Sequence, residues 1–180
     1  MCVLLMASDA TARLNPFATR GVTSIELALA LAVTALVGAL GFSAYRTHVV
    51  RTEIADGIAA ADAAQRNVER AFERDREPPR DGPSAGLPSV PPNVTIDYVE
   101  ALEIVDGRID LRFGAPADPT IAGRTLSLTP FETATQEIVW VCGNRIPGAG
   151  LQPLGFANGA RHAVQVLTNI QPRYLPSNCR

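Results

Sequence analysis

The chain has 180 residues, enough for one domain with extensions, and its hydrophobic fraction of 47% is that of an ordinary globular protein. A formal net charge of −2 and a pI near 5.7 leave no global basicity with which to hold nucleic acid. The averages conceal an asymmetry: much of the apolar content lies in residues 22–50, whereas residues 51–80 are charged and alanine-rich.

Residues 1–21 form a leader in which Arg13 and Arg20 are basic and Asp9 is the one acid. Residues 27–45 then carry no charged side chain, about the length that crosses a hydrocarbon core as a helix. Glu26 sits at the entrance to this run, where a carboxylate is costly unless it finds a partner or a proton. Alanine and leucine favour the helix, and Gly38 and Gly41 weaken its second half by roughly 1 kcal/mol each relative to alanine. The helical pattern outlasts the apolar run. Val50, Ile54, Ile58, Ala61, Val68 and Phe72 recur at steps of three and four, with Gln65 in the gap. Arg51, Glu53, Asp56, Asp62, Arg66, Glu69, Arg70 and Glu73 lie mostly off that stripe. The spacing predicts one long helix with a wholly apolar half, residues 22–50, and an amphipathic half, residues 51–77. Glu77-Pro78-Pro79 ends it, since proline cannot donate into a helix and disfavours helical geometry in the residue before it.

A Pro/Gly/Ser-rich connector spans residues 78–93, after which the period switches to that of strands. Residues 94–105 alternate imperfectly, Asp106-Gly107 is a two-residue hairpin signal, and residues 108–113 alternate cleanly. Residues 125–129 give a third strand and residues 137–141 a fourth, running into Cys142. One helix followed by about four strands in residues 94–142 predicts an α+β domain, a small antiparallel sheet laid on the helix stripe. Residues 142–180 read as loop, rich in Gly, Pro and Asn, with a short apolar piece at 163–170.

Together these features resemble the type IV pilin family. The resemblance rests on Arg20-Gly21-Val22-Thr23-Ser24-Ile25-Glu26-Leu27 at one end, and on Ile138-Val139-Trp140-Val141-Cys142-Gly143 and Tyr174-Leu175-Pro176-Ser177-Asn178-Cys179-Arg180 at the other. It implies a precursor cut between Gly21 and Val22 by a membrane prepilin peptidase, with methylation of the new Val22 amine. It also implies a Cys142–Cys179 disulfide closing the C-terminal region, and assembly into a helical homopolymer driven by an ATPase motor through a membrane platform. The expected location is the bacterial inner membrane first and the extracellular filament afterwards. Val22 stands where the family most often has phenylalanine, and Ser43 stands where many major pilins have a helix-distorting proline. The segment 144–173 is longer than in compact pilins, so its surface is particular to this chain.

Physical arguments give these residues their roles. Gly21, without a side chain, lets the backbone enter a protease cleft. A basic residue before a membrane segment keeps the leader on the cytoplasmic side. A free amine at Val22 lies about four residues from Glu26, so the amine of one subunit can meet the carboxylate of a neighbour. Pairing offsets part of the cost of burying either charge, which gives Glu26 a register-setting role in assembly. Loss of the leader removes Cys2 and leaves Cys142 and Cys179, which suit a long-range disulfide in an oxidising compartment. Two unrelated buried thiols are the alternative that a cytosolic chain would favour. Such a disulfide would pin the irregular C-terminal surface to the last strand, and the absence of C-x-x-C spacing argues against redox activity.

Other signals are weak. Gly41-Phe42-Ser43 resembles a secretory cleavage site, but cutting there would discard a run that continues unbroken into the amphipathic helix. His48 and His162 have no neighbours at metal-ligand spacing, and Gly148-Ala149-Gly150 lacks the context of a dinucleotide site. No metal, cofactor or catalytic residue is expected, and the chain reads as no enzyme. The Asn93-Val94-Thr95 sequon is a chance match in a bacterial protein. Trp140 is expected in the core, and Arg161, Arg173 and Arg180 on a solvated surface, although they would meet DNA phosphates if the filament served DNA uptake. The expected function is a structural filament subunit. A minor pilin or secretion pseudopilin is the nearer alternative, and a monomeric signal-anchored periplasmic binding domain is the alternative of another class.

Overall fold

The computed structural model describes residues 23–87, 98–158 and 161–180. Gly21 and Val22, and positions 94–97 of the first expected strand, lie outside the described residues. Helix α1 runs unbroken over Ser24–Asp75, through Gly38, Gly41 and Ser43. The chain divides into two compact units, one ending at Leu40 and the other Gly41–Arg180.

In the first unit every large apolar side chain from Ile25 to Leu40 is at least 54% exposed. Such a surface needs lipid or another protein to cover it, and the helix is long and apolar enough to cross a membrane. Thr34 turns its hydroxyl back onto the Ala30 carbonyl at 2.8 Å, so it meets an apolar medium with its donor satisfied.

The second unit is built on the later half of α1. Val50, Ile54, Ala61, Val68 and Phe72 are buried there, on the stripe that the periodicity predicts. Glu53, Gly57, Ala64 and Ala71 are buried beside them, so the covered face is wider than the apolar pattern indicates. Gly57 lets the sheet approach closely: a Cβ there would stand 3.0 Å from Phe113 Cε1, a tight contact. The helix ends at Asp75, two residues before the expected Glu77. The Arg76 amide still donates to the Phe72 carbonyl at 2.8 Å, but Arg76 then takes φ 56°, and this left-handed residue turns the chain away before the prolines are reached.

The sheet comprises β1 (Val99–Val105), β2 (Arg108–Phe113), β3 (Thr125–Glu132), β4 (Ile138–Cys142) and β5 (Gln152–Pro153). All pairings are antiparallel, in the order β1-β2-β3-β4, with β5 also paired to the end of β3. Asp106 (φ 49°) and Gly107 (φ 81°) form the expected tight turn between β1 and β2. Their amides donate to the carbonyls of Arg80 (3.1 Å) and Pro79 (2.8 Å), which fastens the connector to the hairpin tip. β3 continues past the expected Thr129, through Pro130. Pairing with β2 stops at Leu128, so the missing N–H of Pro130 leaves no β2 carbonyl unserved, while its own carbonyl accepts the Leu154 amide at 3.1 Å. Ile109, Leu111, Phe113, Leu126 and Leu128 of the sheet meet the helix stripe in one core, joined by Leu154, Ala163, Ile170 and Leu175 of the C-terminal region.

Candidate functional site

Glu26 lies in the first unit, in the first turn of α1. Thr23 caps that turn: its carbonyl accepts the Leu27 amide at 3.1 Å, and its hydroxyl faces the Glu26 amide at 3.4 Å. Glu26 reaches back, its Oε2 accepting the Thr23 backbone N–H at 2.9 Å and the Thr23 hydroxyl at 2.8 Å. This is a capping box, two residues each serving the other at the start of a helix. The signal for it is the local pattern Thr23-Ser24-Ile25-Glu26, in which the carboxylate has a partner three residues away. One carboxylate oxygen holds both bonds, and the group stays exposed.

In the second unit Cys142 and Cys179 are joined, with Cα atoms 4.6 Å apart across a sequence separation of 37. Gly143, next to the bond, has φ 61°, and a Cβ on it would stand 2.7 Å from the Cys179 carbonyl oxygen. Only glycine fits there on both counts. The Asn144 amide donates to that same Cys179 carbonyl at 3.0 Å, and the Gly143 amide to Ser127 of β3 at 2.9 Å. Upstream, the Thr168 hydroxyl donates to the Thr125 carbonyl (2.6 Å), the Thr125 amide to Asn169 Oδ1 (2.9 Å), and Arg124 Nη1 to the Asn169 carbonyl (2.7 Å). The C-terminal region is thus fastened to β3 and β4 by polar bonds as well as by the disulfide.

A second set of polar links ties α1 to the segment after β2. Arg46 Nη2 donates to Asp118 Oδ2 at 2.8 Å, and Asp118 Oδ1 accepts the Thr120 amide and hydroxyl. The Asp118 amide in turn donates to Glu53 Oε2 at 2.8 Å, which accounts for a glutamate on the buried face. The Arg46 guanidinium, with the Thr120 N–H behind it, holds the Asp118 carboxyl below its ordinary value. Arg51 places Nε (3.1 Å) and Nη2 (2.7 Å) on the carbonyl of Arg173, fixing the C-terminal segment to the helix. Trp140 is half-buried against the core, with its indole N–H on Glu69 Oε1 at 2.8 Å. Two of the three C-terminal arginines considered for phosphate are engaged: Arg161 with the Pro78 carbonyl and Asp106, and Arg180 with the Leu175 carbonyl. His162 packs edge-on against Phe156, and among the described residues no cluster of three or more His, Cys, Asp or Glu is arranged to hold a metal.

The apolar half of α1 is exposed for other molecules to cover, and the second unit is closed by a disulfide. The family model for pilins, the proteins of bacterial filaments, matches residues 50–180. The chain belongs to the pilin family. This pilin is 25% identical over 162 residues to a type IV major pilin protein, PilE1, of Neisseria gonorrhoeae, covering 89% of this chain and 87% of that one. It is 26% identical over 165 residues to a fimbrial protein of Neisseria meningitidis serogroup A, serotype 4A, covering 89% and 94% of the two chains. Similarity therefore extends beyond the head of the pilin into residues before Val50. The family is a structural one and not a family of enzymes.

Proposed function

We propose that this chain is the structural subunit of a type IV pilus, made as a precursor, stored in the inner membrane and polymerised through α1 into a surface filament. The observation that carries the reading is the exposed apolar length of α1, on the same helix that forms the spine of a pilin head. In the membrane, lipid covers that length; in the filament, the same length of neighbouring subunits covers it. The head, closed by Cys142–Cys179, faces solvent.

Maturation follows from the start of the chain. Residues 1–21 are the leader, Arg20 holds it on the cytoplasmic side, and prepilin peptidase cuts between Gly21 and Val22 and methylates the Val22 amine. Residues 22–50 serve as anchor and filament core, 51–77 as the helix of the head, 78–93 as connector, 94–142 as sheet and 142–180 as the particular outer surface. Cleavage creates a positive charge one residue before Thr23. The capping box satisfies the Glu26 carboxylate in the stored subunit. When subunits dock, the amine of the neighbour replaces Thr23 as its partner, and two charges that are costly apart enter the filament core as a pair. A platform and ATPase motor in the membrane supply the energy for extraction.

Substituting Glu26→Ala tests the assembly step. Processed subunits should accumulate in the inner membrane with little filament in sheared surface material, while Glu26→Asp restores part of the yield. Normal yield from Glu26→Ala would remove the carboxylate from the mechanism.

A further inference from the structure

Next to the end of the uncharged run, the second unit contains a cavity of about 230 Å³. Its walls include Phe42, Ser43 and Arg46 of α1, Asp118 of the loop after β2, and Arg173 and Tyr174 of the C-terminal segment. The 19 residues of the run rise about 28 Å as a helix, the thickness of a hydrocarbon core. Phe42 and Ser43 therefore lie in its last turn, and Arg46, the first charged residue after Glu26, falls at the level of lipid headgroups.

The lining holds two guanidinium groups and one carboxylate, and so carries one net positive charge. Arg46 gives a single N–H to Asp118 and, among the described residues, makes no other hydrogen bond, which leaves four of its five donors for a ligand. The Arg173 guanidinium lies 4.7 Å over the Tyr174 ring, a cation on an aromatic face. The backbone of Arg173 is in turn held to α1 by the two bonds from Arg51. A cation from the far end of the chain is thus fixed beside the cation that leaves the membrane. A lone arginine snorkelling at a helix end needs no such second group.

We propose that this cavity seats the phosphodiester of an anionic phospholipid from the periplasmic leaflet while the subunit is stored in the membrane. One phosphodiester charge matches the one net positive charge, and guanidinium forks suit phosphate oxygens. Phe42 in the cavity wall receives the acyl chains, and Tyr45 and Tyr174 lie close to it in the same unit, as aromatic side chains do at a membrane surface. Leaving the membrane for the filament then requires the subunit to release this lipid. The inference rests on the membrane storage proposed above.

The test uses the full-length subunit in nanodiscs holding equal amounts of phosphatidylglycerol and phosphatidylcholine, followed by native mass spectrometry of the lipids retained after release into detergent. Wild type should retain phosphatidylglycerol in preference, and Arg173→Gln should reduce that preference about fivefold, the value of one basic residue at a membrane surface. Arg161→Gln, outside the cavity, should leave it unchanged. Equal retention of the two lipids by wild type, or a full preference in Arg173→Gln, overturns the proposal. So does displacement of the lipid by inorganic phosphate at millimolar concentration, which would make the site one for the free ion. Flotation with vesicles of phosphatidylcholine alone separates the two readings. A subunit that floats but shows no lipid preference keeps its anchor and loses this site, whereas one that does not float at all contradicts membrane storage.

Discussion

Replacing Cys142 and Cys179 together by alanine removes a cross-link between residues 37 positions apart. In the chain-entropy account, closing a loop of that length lowers the entropy of the unfolded chain by about 13 cal/mol/K, or about 4 kcal/mol at 25 °C. The loss is not confined to the unfolded state, because Cys179 is fully buried and alanine leaves the space of its sulfur unfilled. The anchors at Thr168, Asn169 and Arg173 remain, so the C-terminal segment should stay docked in the absence of denaturant. Trp140 provides the probe: it is the sole tryptophan, lies two residues before Cys142, and bonds through its indole N–H to Glu69 across the helix–sheet boundary. Urea unfolding of the full chain in detergent, followed by its fluorescence, should keep a single transition. At a slope of about 2 kcal/mol/M, the midpoint of the double variant should fall by about 2 M. A midpoint within about 0.3 M of wild type, at the same slope, would refute the reasoning. It would mean that the cross-link does not restrict the unfolded chain as the entropy account requires.

Further tests bear on particular residues. Gly57→Leu forces a side chain into the space that Phe113 fills, and should destabilise the head by about 3 kcal/mol in the same urea assay. Gly143→Ala combines a left-handed backbone with a Cβ directed at the Cys179 carbonyl, and should cost about 2 kcal/mol or more. Because Asp118 is held below its ordinary value in the folded state, its contribution is complete above the unfolded value of about 3.9 and is lost as pH falls through the lower folded value. Thermal unfolding of wild type should therefore weaken below about pH 4, and Asp118→Asn, less stable at neutral pH, should show a smaller acid loss. Thr23→Val removes the hydroxyl half of the capping box and should speed amide exchange in the first turn of α1, with Thr23→Ser restoring protection.

Much of this architecture was legible because it is periodic. The stripe from Val50 to Phe72 and the turn at Asp106-Gly107 are local patterns, and the structure has them at those residues. The features that escaped depend on residues far away in sequence. Glu53 reads as a solvated charge until the Asp118 amide, 65 positions later, is set against it. The place of Gly57 on the buried face is set by Phe113, 56 positions later, which packs over it. β5 is two residues long and has no alternation to detect; it is a strand because Phe131 and Glu132 pair with it. The cavity at Arg46 needed three separate segments to meet, so no window of the sequence contained it. The capping partner of Glu26 is the exception, since Thr23 lies three residues away and the motif is local.

The central claim, a subunit that leaves the membrane to become filament, is tested most directly by mass spectrometry of filaments sheared from the cell surface. The account predicts the chain in that material, beginning at a methylated Val22 and lighter by two hydrogens for the Cys142–Cys179 bond. A chain absent from the filaments and retained singly in the inner membrane, or one beginning near Ala44, would contradict it.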